Sequence, residues 1–256
     1  MSTNRIPREE KTFKEKWEHF WKYYKFHALI WAIGLILLGS AIIKEALAPK
    51  YLVSGMLLNA DHKDAKNNAL ELANSFVQTY KLDTSKEDVV FDTDAVCEPD
   101  NEAKAKDTQN SMQSLLTGKE KKTLDFVVAP SDVMKDLVYG TVSSDSTLFS
   151  DLRLVLTQEQ YTTYEPYILY VDLTVVEKLE KAYDEGKDTS SIPLPDMTNP
   201  KELDQPVPIL IDVTHCEKLN KLYESPKSGL AFGIISETSN LENTLNLLDF
   251  LMAKEN

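Results

Sequence analysis

The pattern of hydrophobic residues begins with one long stretch that carries no charge. Residues 26–43 contain no Asp, Glu, Lys or Arg, and about 20 helical residues are enough to cross the ~30 Å hydrocarbon core of a bilayer. Lys44 and Glu45 can extend to the headgroup layer, and Pro49 cannot continue a helix. The pattern therefore predicts a transmembrane helix over residues 26–47.

A cleaved signal peptide is the alternative interpretation of this stretch. Residues 46–48 (Ala-Leu-Ala) match the small-residue pattern of a cleavage site, but the apolar part of a signal peptide is usually about 7–15 residues long. Residues 1–25 are also longer than the usual basic region of a signal, which favours an uncleaved anchor.

Residues 1–25 form a basic, aromatic head before the predicted span. Basic residues beside a span stay in the cytoplasm, so we expect the N-terminus inside and residues 50–256 outside. Trp17, Trp21 and Tyr24 share one helical face, and aromatic side chains of this kind favour the headgroup layer. We predict an interfacial helix on the lipid bilayer. A helix that binds a partner in a larger membrane complex would show the same pattern.

After Pro49 the pattern changes to alternating apolar runs and amphipathic segments. Strands are predicted at 51–59, 88–91 and 123–129, and helices at 62–80, 101–117 and 131–140. This order is typical of an α/β domain with a mainly parallel sheet and helices on both faces.

The second half of the domain is less regular. Strands are predicted at 166–173, 207–213 and 229–236, and helical segments at 174–185, 215–223 and 240–254. Residues 186–208 contain five prolines and are expected to form an exposed excursion.

Two segments resemble extracellular solute-binding proteins of the type 2 periplasmic-binding fold. LDFVVAPSDVMKDLVYG (124–140), followed by FSDLRLVLTQEQ (149–160), is similar to a strand, pocket-edge loop and short helix of that family. GLAFGIISETSNLENTLNLLDFLMAKEN (229–256) is similar to its last strand and closing helix. The resemblance implies a periplasmic-binding-protein-like fold that binds a solute. Since this chain is shorter than two-lobed members and lacks a lipobox cysteine, a reduced second lobe would have to come from residues 141–208.

The basic, aromatic head also resembles known proteins. KEKWEHFWKYYKFHALI (14–30) is similar to short membrane-anchored, functionally uncharacterised proteins of Gram-positive bacteria. This implies the cell membrane as the location, with the C-terminal domain outside.

The net charge of −13 is unevenly distributed along the chain. Residues 1–25 hold seven basic and four acidic residues, a net +3, and the remaining 231 residues carry −16. Nucleic-acid binding requires clustered Lys and Arg, so we expect no nucleic-acid partner for the acidic domain.

The sequence contains no motif that would indicate catalysis, a cofactor or a metal. Gly-rich phosphate loops, G-x-S-x-G and paired-histidine metal motifs are absent. Asp212, His215 and Cys216 are neighbours, but adjacent side chains on one helix start point apart and cannot act as a nucleophile–base pair. We therefore expect a non-catalytic protein, and a membrane-anchored hydrolase is the weakest alternative.

The two cysteines, Cys97 and Cys216, both lie in the predicted outer domain. Disulfides persist outside the cytoplasm, and a Cys97–Cys216 bond would close a long loop and constrain the unfolded chain. Two free, buried thiols are the alternative.

Ligands of parallel sheets bind at the carboxyl ends of the strands. The polar residues expected there are candidate ligand contacts: Asn59, Asp61, Asp94, Ser131 and Asp132. The N–H groups of the helix that begins at Ser131 are suited to an anionic or hydroxyl-bearing ligand. Helix capping is the alternative role of Asp61, Ser131 and Asp132.

These predictions describe a single-span membrane protein with an extracytoplasmic solute-binding-like domain. It would bind a small solute or act as an accessory or sensing subunit beside a transporter. The alternative is a structural subunit that docks onto another membrane protein and binds no solute.

Overall fold

The computed structural model describes residues 50–98, 101–141, 148–189, 191–224 and 226–254. The chain divides by its internal contacts into Met1–Pro49 and Lys50–Asn256, and every described residue belongs to the second unit. The predicted interfacial helix 1–25, with Trp17, Trp21 and Tyr24, and the predicted transmembrane helix 26–47 lie outside the described residues. Among the helices of the described part, none has the length and apolar character to cross a membrane.

The strands of the described residues form one six-stranded sheet in the order β2-β1-β3-β6-β5-β4. Each apolar run that predicts a strand contributes one to this sheet. The strands are β1 (Tyr51–Leu57), β2 (Asp88–Asp92), β3 (Phe126–Pro130), β4 (Ile168–Asp172), β5 (Pro206–Asp212) and β6 (Leu230–Ile234).

The helices follow the amphipathic segments of the sequence. They are α1 (Ala65–Tyr80), α2 (Ala105–Glu120), α3 (Ser131–Thr141), α4 (Leu152–Val155), α5 (Gln158–Tyr164), α6 (Leu173–Asp184) and α7 (Leu241–Met252). The segment after β5, predicted to be helical, forms a 3₁₀ turn at Glu217–Lys221.

The sheet is mixed, so the prediction of a mainly parallel sheet is wrong. Strand β1 is parallel to β2 and β3, but β6 is antiparallel to both β3 and β5, and β4 is antiparallel to β5. Parallel neighbouring strands are joined by a connection that crosses the sheet, usually through a helix. The β5–β6 connection contains a 3₁₀ turn instead, and strand β6 starts at the end of the sheet where β5 finishes.

Helices cover both faces of the sheet, as the sequence predicts. Successive residues of a strand point to opposite faces, and Val53 and Leu57 belong to one buried cluster whereas Met56 and Leu58 belong to the other. Helices α1 and α7 supply apolar residues to the first cluster, and α2, α3 and α6 supply them to the second.

A buried carboxylate fixes the connection between β6 and α7. Asp125 is fully buried, and its Oδ2 atom accepts a hydrogen bond of 2.7 Å from the backbone N–H of Ser54 on β1. Its Oδ1 atom accepts from the hydroxyl of Thr238, and the side-chain amide of Asn240 donates to both oxygens. Three parts of the chain therefore meet at one side chain.

Residues 141–208 do not form a second lobe in their described part. They supply β4 and the first residues of β5 to the same sheet. Many residues of the proline-rich segment are exposed, but Met197 and Leu203 are buried and the N–H of Tyr170 on β4 donates to the carbonyl of Met197 at 2.8 Å. The segment covers the outer edge of β4.

Cys97 and Cys216 are free, buried thiols. Cys216 packs in the cluster of α1 and α7, and Cys97 in the cluster on the opposite face of the sheet. The sequence left a Cys97–Cys216 disulfide and two free, buried thiols open, and the structure has the two free thiols.

Candidate functional site

An open cleft of about 1040 Å³ lies at the carboxyl ends of β1, β2 and β3. This is the edge of the sheet at which parallel strands present their following loops. The lining residues come from the segments that follow these three strands and from the segment before β6: residues 59–61, 96–98, 101, 103, 104, 130, 132, 133, 136, 223 and 226–228.

The antiparallel direction of β6 determines one wall of the cleft. Pro130, the last residue of β3, pairs with Leu230, the first residue of β6, so the residues that precede β6 stand at the carboxyl edge of β3. Gly229 has a φ of +81°, and a Cβ there would lie 2.5 Å from the Thr214 hydroxyl oxygen. The carbonyl of Gly229 accepts from the N–H of Ser131, which joins this wall to the start of α3.

Asn59 lines the cleft, but its amide holds the chain that follows β2. Its Nδ2 donates to the carbonyl of Cys97 at 2.8 Å, and its Oδ1 accepts from the N–H of Cys97 at 2.7 Å. The backbone N–H of Asn59 also donates to the carbonyl of Ala95, and its φ of 57° is one that asparagine tolerates better than most residues. Asn59 therefore shapes the cleft.

Asp61 and Asp132 line the cleft, and each bonds to the wall that precedes β6. Oδ1 of Asp61 accepts from the N–H of Glu224 at 2.7 Å, and Oδ1 of Asp132 accepts from the Ser228 hydroxyl at 2.7 Å. Asp61 is not the N-cap of α1, because that position belongs to Asp64. Both carboxylates are solvent-exposed and remain accessible to a ligand.

The other two candidate residues do not line the cleft. Ser131 begins α3, and its backbone N–H donates a hydrogen bond to the carbonyl of Gly229. Asp94 lies on the surface, where its Oδ2 is 3.3 Å from the Nζ of Lys66. The structure thus brings together Asn59, Asp61 and Asp132 at one cleft and leaves Asp94 outside it.

Two charged lining residues, Glu98 and Asp136, were not among the predicted ligand contacts, because neither stands directly at the end of a strand. Glu98 accepts from Lys104 and from the side-chain amide of Asn101, and these bonds lower the pKa of its carboxyl. Asp136 extends from the second turn of α3. For Glu98, the only local signal in the sequence is that Asn101 and Lys104, which pair with it, lie three and six positions further along the chain.

Carboxylates of the cleft wall lie close enough to affect the pKa of two buried groups. Burial raises the pKa of the Cys97 thiol, and the charge of Asp136 raises it further. Burial likewise raises the pKa of the Tyr223 phenol, with a smaller contribution from Asp61. Cys97 is therefore a protonated thiol at neutral pH, and the thiol form is a poor nucleophile.

The described residues contain no group of three or more His, Cys, Asp or Glu side chains arranged to hold a metal ion. Comparison with protein-family models, curated proteins and solved structures finds no match to this chain. The chemistry of the cleft is therefore the basis on which function can be inferred.

Proposed function

We propose that this chain is a single-span membrane protein whose extracytoplasmic α/β domain binds a small solute in the cleft at the carboxyl ends of β1, β2 and β3. It would act as an accessory or sensing subunit of a transporter and catalyse no reaction. The observation that carries the proposal is the cleft itself, whose volume of about 1040 Å³ lies at the high end for small-molecule sites.

The polar lining supports binding of a hydrophilic solute. Asp61 and Asp132 present exposed carboxylates to the cleft, and the surrounding backbone is held in place by their hydrogen bonds and those of Asn59. Such pre-ordered walls reduce the entropy that ligand binding must overcome. The uncharged residues 26–43 support the membrane anchor.

Docking onto another membrane protein without a solute is the second candidate function. It is favoured by two large side chains that are unusually exposed, Leu154 on α4 at 82% and Tyr183 on α6 at 78%. Exposed apolar and aromatic residues are typical anchors of protein interfaces.

The full-length protein in lipid nanodiscs provides the test of solute binding. A panel of amino acids, diamines, dicarboxylates and hexoses is screened by thermal shift, and hits are mapped by hydrogen exchange. We expect at least one compound to raise the melting temperature and to slow exchange in residues 59–61, 96–98 and 226–228.

A blocking variant and a matched control make this test specific. Ala103→Trp places an indole at the cleft wall and should abolish the response, whereas Leu154→Trp changes an exposed site elsewhere and should preserve it. If no compound produces protection in the cleft segments, solute binding is wrong. Docking would then be supported if a membrane protein co-purifies with the wild-type chain but not with Leu154→Trp.

A further inference from the structure

The charges of the cleft wall are unequal, and this inequality bears on the class of solute. Four carboxylates line the cleft (Asp61, Glu98, Asp132 and Asp136) against two lysines (Lys104 and Lys227), which leaves a net charge of −2. One lysine is already paired, because Lys104 contacts Glu98. Besides this pair, the wall carries Asp61, Asp132, Asp136 and Lys227, and Asp136 has further interactions of its own.

The start of α3 is unfavourable for binding an anion. A helix N-terminus can hold a negatively charged ligand through its unpaired N–H groups, but here Asp132 supplies that charge from within the first turn. Its Oδ1 accepts from the N–H of Val133, and the N–H of Ser131 donates to Gly229. An anionic solute would meet the Asp132 carboxylate, and two of the four N–H groups of the first turn are already paired.

The carboxylates retain acceptor capacity for a cation. Asp61 and Asp132 each use Oδ1 for the wall bonds described above, and within the described residues the Oδ2 of neither accepts a hydrogen bond. The pKa values of Cys97 and Tyr223, raised in part by Asp136 and Asp61, are consistent with a negative potential across the cleft.

We propose that the cleft takes a small organic cation, a solute that carries ammonium or guanidinium groups, and that Asp61 and Asp132 are its principal charge contacts. This inference rests on the proposed solute-binding function and specifies its substrate class. Charge-assisted hydrogen bonds to both carboxylates would favour such a solute over a neutral analogue of the same size.

A series of four-carbon compounds isolates the effect of charge. Butane-1,4-diamine, butane-1,4-diol and succinate are titrated by calorimetry into the full-length protein in nanodiscs of neutral lipid, with empty nanodiscs as the blank. We expect the diamine to bind at least tenfold more tightly than the diol and succinate not to bind. The Kd of the diamine should rise with ionic strength, because exposed charges are screened by salt.

Isosteric variants locate the contacts. Asp61→Asn and Asp132→Asn remove the charge but keep the oxygen that accepts from Glu224 or Ser228, so each should fold and weaken diamine binding by about tenfold. Asp94→Asn removes the same charge outside the cleft and should change the Kd by less than about twofold, since distant surface charges are screened.

The outcomes separate this inference from the function on which it rests. The organic-cation proposal is overturned if the diamine fails to bind or binds no tighter than the diol. It is also overturned if Asp94→Asn weakens diamine binding as much as Asp61→Asn and Asp132→Asn do. Solute binding survives that result if succinate, the diol or any member of the wider panel protects the cleft segments from exchange. If no compound does so, the proposed function itself fails.

Discussion

Asp172, at the end of β4, is a buried carboxylate that joins the start of α6 to the segment before β5. Its Oδ1 accepts from the N–H groups of Thr174 and Gln205 at 3.0 and 3.1 Å, and its Oδ2 accepts from the N–H of Asp204 at 2.9 Å. Burial alone would raise the pKa of Asp172, but these amide donors favour the ionised form and lower the pKa below its ordinary value.

This shift predicts how the stability contributed by Asp172 depends on pH. Because the pKa is lower in the folded than in the unfolded chain, the contribution is present above the unfolded pKa of about 3.9 and is lost as the pH falls through the folded value. Asp172→Asn should reduce the free energy of unfolding by about 1–3 kcal/mol at pH 7 and by less near pH 3.5. Urea unfolding across this pH range measures the difference.

The exposed residue Asp94 provides the control for this experiment. Asp94→Asn removes a carboxylate that is paired with Lys66 at the surface, and it should change stability by no more than about 0.5 kcal/mol at any pH tested. If Asp172→Asn lowers the free energy of unfolding equally at pH 7 and pH 3.5, the three amides do not stabilise the ionised form specifically.

The polar residues of the cleft show what sequence can predict at this scale. Strand ends are local features, so Asn59, Asp61 and Asp132 could be placed at the carboxyl edge of the sheet. Their hydrogen-bond partners are 38, 163 and 96 positions away along the chain, and no local pattern encodes such pairings. Asp94 satisfied the same local rule but lies outside the cleft.

The strands and helices themselves are largely encoded by local pattern, whereas their direction is not. The predicted strand 207–213 is observed at Pro206–Asp212, and the predicted helix 131–140 at Ser131–Thr141. Alternation of strands and helices favours parallel pairing, but β6 entered the sheet between β3 and β5 in the opposite direction. That placement depends on contacts across the whole domain, and it brought residues 226–228 to the cleft.

The proline-rich segment before β5 behaves as a cover for the edge of β4. Unpaired strand edges promote aggregation, and here the edge N–H of Tyr170 is paired with the carbonyl of Met197, whose side chain is buried. Met197→Ala should therefore lower the free energy of unfolding by about 2–3 kcal/mol and speed hydrogen exchange at the Tyr170 amide. Chemical unfolding and exchange measured by NMR test both effects.

Leu154→Ala is the matched control for Met197→Ala. It truncates a side chain that is 82% exposed and should change stability by less than about 0.5 kcal/mol. If Met197→Ala is equally mild and the Tyr170 amide exchanges at its original rate, the segment does not protect the edge of β4.

For the whole molecule, the distribution of charge agrees with the proposed topology. The net charge of −13 combines a head of +3 over residues 1–25 with −16 over the rest of the chain. A basic head suits the cytoplasmic side of a membrane, whose inner leaflet is anionic, whereas the acidic residues of the domain contribute little to orientation. The proposed organic-cation site lies in that acidic domain.

Cysteine labelling in intact cells tests this topology, because the natural thiols should contribute little signal. Cys97 and Cys216 are 6% and 3% exposed, and burial raises the pKa of Cys216 to about 12. Ser85→Cys introduces a thiol on the surface of the domain, and a membrane-impermeant maleimide should label it from outside. Thr3→Cys, in the head, should be labelled only after the membrane is permeabilised.

Each other labelling pattern has a distinct meaning. Label on Thr3→Cys but not on Ser85→Cys in intact cells would invert the proposed topology, and with it the extracytoplasmic placement of the cleft. Absence of label on Thr3→Cys even after permeabilisation would indicate that the head is removed as a signal peptide, because residues 46–48 match a cleavage site. Label on both variants only after permeabilisation would place the acidic domain in the cytoplasm and contradict a transport-related role outside the cell.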